Sequence, residues 1–393
     1  MLQEVIPKSG GLNDTLKIIQ SLGYIQIDTL SVTQRAHHHI IWTRNPKYDP
    51  DHLDQLLTQN RQIFEYWSHA LSYLPLRDYR FYLHKMTRFQ DPYSKWEKDR
   101  YENYGHLMKP VLDQIKHNGP MRAHDFLTPK SSGKQTTRER NPHKIALEML
   151  FFRGDIMVTR REKFQRYYDL TERILPSWVE TKMPTSVECA KFNILKALEV
   201  NGVARKQELY SMFQTMPRPD LDQVFHDLID LGEILPVEID GLNSSKYFIQ
   251  RKNIELTNQL LKTNYNDKVI ILSPFDNFIK DRIRMKKLFD FEYALECYLP
   301  VTKRKYGYFV MPLLWKGKLI GRLDPKADRT NKVLKIHRIM FEENFYDFNE
   351  IQSSLQEALN HFALFNHCNH IHIKEIIQGN QHKFLKAKID VTD

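Results

Sequence analysis

Apolar positions recur along this chain in two periods, and the changes between them mark its elements. Leu16, Ile19 and Leu22 follow helical spacing, with Asn13 or Asp14 placed to cap and Gly23 placed to stop. This predicts a short helix from Leu12 to Leu22. From Gly23 to Thr29 the period drops to two. Ile25 and Ile27 share one face and Gln26 and Asp28 the other, as in a half-buried strand. Val32, Ala36 and Ile40 return to a helix, capped by Thr29 or Ser31 and ending before Asn45-Pro46. The apolar run Ile63 to Trp67 follows. Helix, short strand, helix and apolar strand is the order of a winged-helix unit.

The same order returns twice. After a charged, aromatic and helical stretch from Asp78 to Tyr104, Met108 to Leu127 reads as a helix-turn-helix. Its stripe is Val111, Leu112 and Ile115, its turn Gly119-Pro120, and Arg122 to Phe126 opens the next helix. A Ser, Thr, Gly, Lys and Arg loop from Pro129 to Pro142 precedes a helix from Asn141 to Arg153, which Gly154-Asp155 ends. Ile156 to Leu170 then predicts a hairpin with a basic turn. In the third copy Phe192, Leu195 and Leu198 form the first stripe and Gly202 to Arg205 the turn. Helices are expected over Gln207–Phe213 and Leu221–Leu231, and wing strands over 234–237 and 246–249, joined by a turn carrying Gly241, Asn243, Ser244 and Ser245.

From Val269 onward the pattern is that of strands: 270–272, 293–299, 306–314, 318–324 and 333–341, an antiparallel sheet that a barrel would close. A last helix runs from Glu350 to Phe365. The fold class expected is α+β, with tandem winged-helix units and a C-terminal antiparallel β domain. The boundaries expected are 1–105 for the first unit with its linking helix, 106–187 for the second with the basic hairpin, 188–266 for the third, and 267–393 for the β domain.

Charge narrows the partners. The 393 residues carry a formal net charge of +10 and a pI near 9.2, which favours polyanions, nucleic acid before anionic membrane. Mean hydropathy is −0.55, and no run approaches the roughly 20 apolar residues that span a bilayer. Residues 1–11 lack the pattern of a secretory leader. Cys189, Cys297 and Cys368 are odd in number and far apart, which gives neither a disulfide framework nor a paired zinc motif. A protein of a bacterial-type cytoplasm, held together by packing, is the expectation.

The chemistry begins with Gln26 and Asp28. On one strand face an amide that can orient water sits beside a carboxylate that can take its proton, although spacing alone better fits an ordinary polar strand face. Three further strings accompany the pair: Ser31-Val32-Thr33-Gln34-Arg35-Ala36-His37-His38, then Phe64 to Ala70 followed by Leu74-Pro75, and Leu272 to Arg282. In this order they resemble the AlkZ/YcaQ-like winged-helix DNA glycosylases, and the Gln-apolar-Asp variant resembles the YcaQ-like branch. That family carries another helix ahead of the first one here, where only Met1 to Gly11 precede it.

The resemblance implies a monofunctional glycosylase that releases N-alkylated purines from duplex DNA and unhooks interstrand crosslinks. It implies Gln26 and Asp28 as the catalytic pair, no metal or other cofactor, no Schiff-base lysine, and an open groove in place of a tight pocket. Tyr66, Trp67 and His69 are expected to line the site, the two aromatics having a core role as their alternative. Arg35, His37, Arg160, Arg161, Lys163, Arg166 and Arg282 are candidates for DNA contact.

Mutual salt bridging accounts for Asp276, Asp281 and Arg282 without chemistry. His361, His367, Cys368, His370 and His372 include zinc-type ligands but lack paired spacing. The partner expected is alkylated or crosslinked duplex DNA, the protein acting as a monomer on the nucleoid. The rival expectation is a non-enzymatic winged-helix DNA-binding protein, a regulator or a repair scaffold.

Overall fold

Leu12–Leu22 is helical as its stripe predicts, burying Ile18, Ile19 and Leu22 and ending at Gly23 with φ 74°. Only glycine adopts that left-handed conformation without steric cost. The cap differs from expectation. Gly11 occupies the N-cap position, and the Asp14 carboxylate turns back to accept from the Ser9 amide and hydroxyl. The computed structural model describes residues 9–126, 141–212, 217–242, 246–262, 267–345, 347–378, 381–383 and 387–390. Most of the basic loop from Pro129, the end of the helix expected to reach Phe213, and residues 243–245 of the expected wing turn lie outside the described residues.

Two compact units emerge, and they cut the chain differently from the four segments expected. Of the described residues, one unit comprises those within 9–24 and 48–254; the other comprises those within 25–47 and 255–390.

The first unit is helix-rich. Helix Asp51–Thr58, which the periodicity did not single out, meets Leu12–Leu22 through the Thr15 hydroxyl and the His52 ring, 3.0 Å apart. Strands Ile63–Trp67 and Leu71–Pro75 form a hairpin. The stretch expected to be one helix from Asp78 to Tyr104 is broken into Leu76–Tyr82, Leu83–Arg88 and Lys95–Tyr104. Asp91-Pro92 interrupts it, since a proline lacks the donor a helix interior needs. The last piece restarts with a capping box, in which the Glu97 amide donates to Ser94 Oγ at 3.2 Å and the Ser94 amide to Glu97 Oε2 at 3.0 Å.

Helices Met108–Asn118 and Pro142–Arg153 precede the hairpin Ile156–Glu162 and Gln165–Leu170. Helices Ser186–Asn201, Lys206–Ser211 and Arg218–Asp230 then pack with the strands Val203–Ala204, Tyr247–Gln250 and Ile234–Val237, which lie in that spatial order.

The second unit is built on an eight-stranded sheet. Met311–Trp315, Lys318–Asp328 and Val333–Phe341 make an antiparallel meander, flanked by Ile270–Ile271. The sheet is not wholly antiparallel. His370–Ile373 and Ile376–Gln378 run parallel to Val333–Phe341, because helix Phe348–Phe365 first carries the chain back to the strand's starting end.

The strand expected over 293–299 and the first part of the one expected over 306–314 are replaced by an irregular loop over 293–310, while 311–314 is strand as expected. The cause is Glu296, a buried carboxylate that accepts from the amides of Lys305, Tyr306 and Gly307 at 3.2, 2.8 and 3.0 Å. Those donors are therefore spent within the loop.

Segment 25–47 joins this unit through two buried polar contacts. Arg44 and Asp276, with side chains 1% and 0% exposed, form a two-pronged ion pair at 2.7 and 2.9 Å. The expected pairing of Asp276 with Arg282 is thus corrected: Asp276 serves Arg44, and Asp281 caps helix Arg282–Phe289 by accepting from the Arg284 amide. His39 Nε2–H donates to the Ile271 carbonyl at 2.9 Å, and burial pushes this imidazole down to about 4, so it stays neutral.

Breaking a buried pair strands the surviving charge, at about 3–5 kcal/mol. Asp276→Ala is expected to lower unfolding stability by roughly that amount in urea titration, and the double variant Arg44→Met/Asp276→Leu to recover much of it. Equal losses for the single and double variants would show that the charge pairing is not what the site requires.

Candidate active site

Gln26 and Asp28 stand in the short extended run that follows Gly23, and only Ile25–Gln26 is regular strand. Gln26 is half-buried and Asp28 is 8% exposed, with the neighbouring Ile25 and Ile27 buried in the core. The Leu30 amide donates to Asp28 Oδ1 at 2.6 Å, closing a turn in which the aspartate holds its own following backbone. Burial raises the Asp28 pKa above the usual carboxylate range, and the Leu30 amide only partly offsets it. A carboxylate in this state is short of solvation and attracts a positive charge formed nearby.

Two groups near Asp28 were not singled out from the sequence. Burial first, then the charge of Asp28, push the Cys297 thiol and the Tyr298 phenol above their ordinary values, so both lie within its electrostatic reach. Tyr298 is 68% exposed and stands in the loop fixed by Glu296, with exposed Leu299 and Val301 following it. Arg304 Nε donates to the carbonyls of Glu296 and Leu299 at 3.2 and 3.0 Å, and its guanidinium covers Tyr308 at 4.7 Å. The available signal was the apolar run Tyr298-Leu299-Pro300-Val301, which only Thr302 separates from Lys303-Arg304-Lys305.

Segment 31–38 supplies further groups. Arg35 occupies the N-cap position of helix Ala36–Trp42 and is half-buried. Its charge adds to burial in holding His38 at about 4. His37 is 2% exposed, with its ring centroid 4.4 Å from that of His38 and the two planes tilted, so it lies in the interior and not against a surface phosphate, a correction to its expected role.

The remaining candidates divide between the units. Tyr66, Trp67 and His69 belong to the helix-rich one. Tyr66 is core, 1% exposed, with its hydroxyl donating to the Phe152 carbonyl at 2.6 Å and burial raising its pKa. Trp67 is 41% exposed and meets the Phe152 ring edge-on at 6.0 Å. His69 is exposed and lies edge-on to Tyr24 at 4.8 Å. Lys85 holds the turn between these strands, donating to the carbonyls of Trp67 and Ser68 at 2.9 and 2.8 Å.

On the hairpin of the same unit, Arg160 pairs with Glu162 at 2.9 Å and covers Tyr167 at 4.0 Å, while Arg166 lies over Phe151 and Tyr168. Lys163 is exposed at the turn. Arg161 is committed elsewhere, to a bidentate pair with the buried Glu65 at 2.5 and 2.7 Å, and this corrects its expected role as a free phosphate ligand. In the sheet unit Arg282 is exposed.

Among the described residues, no three His, Cys, Asp or Glu side chains are grouped to hold a metal ion. Of the C-terminal candidates, Cys368 is buried with its thiol donating to the Asn366 carbonyl at 3.6 Å. The Gln34 amide meets the His367 ring at 3.2 Å, and His361, His370 and His372 are exposed.

The backbone arrangement matches a solved structure, the DNA glycosylase AlkZ of Streptomyces sahachiroi. The TM-score is 0.64, with 96% of each chain covered at 15% sequence identity. At that identity the likeness establishes the fold. A family model described as DNA glycosylase AlkZ-like matches residues 19–365, a span that takes in Gln26 and Asp28, the hairpin and the loop fixed by Glu296. The chain therefore belongs to the AlkZ-like family of DNA glycosylases.

Proposed function

We propose that this protein hydrolyses the N-glycosidic bond of N-alkylated purines in duplex DNA, with interstrand crosslinks through such purines as bulkier substrates of the same reaction. The observation that carries the proposal is the buried, poorly solvated carboxylate of Asp28, two residues from Gln26, in a chain of a DNA glycosylase family.

Alkylation of a ring nitrogen makes the purine cationic, so the C1′–N bond breaks with its electron pair leaving on the base. The sugar then develops oxocarbenium character, which the Asp28 carboxylate stabilises. Gln26 orients a water toward C1′, and the proton that water loses passes to Asp28. No amine attacks the sugar, so strand cleavage does not follow from base release.

Winged-helix units over 1–105, 106–187 and 188–266 would bind the duplex, with the β domain over 267–393 completing the protein as a monomer. The hairpin cations Arg160, Lys163 and Arg166, and Arg282, are proposed to meet phosphates. Trp67 and His69 are proposed as site-lining groups on the strength of their exposure. The place of work is the DNA itself, the nucleoid of a bacterial-type cytoplasm.

Release of 7-methylguanine from methylated duplex DNA in the presence of a chelator tests the proposal. Asp28→Asn is expected to slow single-turnover release about 10²–10³-fold, and Gln26→Ala by a comparable or smaller factor, with duplex affinity nearly unchanged. Duplex binding by the intact protein without release, on this substrate and on a crosslinked duplex, would leave a DNA-binding module that lacks the chemistry.

The raised Asp28 pKa also sets a pH dependence. Burial disfavours the ionised form, so Asp28 lends stability below its unfolded pKa of about 3.9 and loses it as pH rises through the higher folded value. Asp28→Asn is therefore expected to raise the melting temperature at pH 7, with the gain vanishing below about pH 4. An unchanged or lower melting temperature at pH 7 would contradict the strained carboxylate.

A further inference from the structure

The hairpin of the helix-rich unit ends in a two-residue turn, Lys163-Phe164, closed by the Glu162–Gln165 pair. Both turn residues have positive φ, 46° at Lys163 and 70° at Phe164. Hairpins of this form favour Asn-Gly, because a side chain resists the left-handed region, and a bulky ring there is unusual. A turn built only to reverse the chain or present charge has no use for phenylalanine. Strain that a structure maintains points to a role for the residue that bears it.

A buttress maintains it. Arg161 Nη1 donates to the Phe164 carbonyl at 3.0 Å, and the same guanidinium covers the Phe164 ring at 4.4 Å. Arg161 is in turn fixed by its two bonds to Glu65, whose side chain is fully buried in strand Ile63–Trp67. Glu65, Arg161 and Phe164 thus form a chain that runs from the core of the unit to the tip of the hairpin. The ring is only half-buried, and the flanking Lys163 and Gln165 are exposed.

We propose that Phe164 is a stacking wedge: on binding, the tip enters the minor groove of the duplex and the ring inserts against a base step, unstacking it. Arg161 holds the ring in place, while Lys163, Arg160 and Arg166 contact the bordering phosphates. Apolar wedges of this kind trade base stacking for a distorted duplex that presents more surface to the protein. For a glycosylase the consequence is access, since a locally unstacked purine exposes its C1′. The assignment rests on the DNA-binding role proposed above for this hairpin, and does not require Asp28.

An undamaged duplex with 2-aminopurine in place of one adenine tests it, because the fluorescence of that base rises when its neighbours unstack. The intact protein and Asp28→Asn are both expected to raise the signal. Phe164→Gly and Phe164→Asn suit the left-handed turn, and are expected to melt no lower than the intact protein, to lose the signal, and to bind about 5- to 100-fold more weakly. Lys163→Asn is expected to keep the signal while reducing the salt slope of binding by about one.

A signal that survives in both Phe164 variants, or that the intact protein never produces on a duplex it binds, overturns the wedge whatever the outcome for base release. A signal lost with Phe164 in a protein that releases no base upholds the wedge and removes the glycosylase reading alone. If both variants melt well below the intact protein, Phe164 is a structural residue of the turn and the proposal falls.

Discussion

The ion pair between Arg44 and Asp276 is the contact on which the candidate active site depends. It lies with both side chains almost wholly removed from water, and 232 residues of chain separate its members. Each charge would be costly there alone, and the two-pronged geometry satisfies both. Arg44 follows the helix that carries His39, and Asp276 follows the strand whose Ile271 carbonyl His39 engages, so the two polar contacts lock the same segments. Segment 25–47 is thereby part of the sheet-bearing unit, and Asp28 comes within reach of a loop from the far end of the sequence.

The burial of Asp28 works against stability, which its proposed role would explain. A carboxylate with little solvent and one backbone donor is unfavourable in a folded protein at neutral pH, and an asparagine would fill the same turn with less penalty. Places where local rules are broken without a structural gain are where chemistry is expected. The loop over 293–310 has the opposite character. Glu296 is fully engaged by backbone donors, Asp324 accepts from the Tyr308 and Phe309 amides at 3.2 and 3.3 Å, and the loop that carries Tyr298 is consequently well braced.

Much of the architecture was legible because the sequence states it locally. Leu12–Leu22 ends at a glycine that must be one, and the hairpin 156–170 shows as two strand-prone runs on either side of a basic turn. What escaped depends on partners distant in sequence. Alternating residues over 293–299 suit a strand, yet Glu296–Tyr298 forms a single helical turn, and the Glu296 carboxylate takes up the amides of 305–307 farther along the chain. Asp276 was marked by its string, yet its partner Arg44 could not be found by spacing. The parallel strands at the C-terminus follow from where helix Phe348–Phe365 returns the chain, which is a matter of packing. Within Phe64 to Ala70 the aromatic pair divides into core Tyr66 and exposed Trp67: Ile63–Tyr66 is buried on both faces, and Trp67 is the end residue of the strand, where that cover stops.

If Asp28 carries the reaction, its ionisation is the one that base release requires. Carbon-13 labelling of the aspartate carboxyls, with Asp28→Asn to assign the signal, gives the pKa of this group in the free protein, and single-turnover base release across pH gives the acid limb of the activity. The two are expected to coincide, above the usual aspartate value of about 3.9, and the limb to disappear with the signal in the variant. An Asp28 that titrates in the ordinary range, or an acid limb that persists without it, would contradict the claim that this carboxylate carries the reaction.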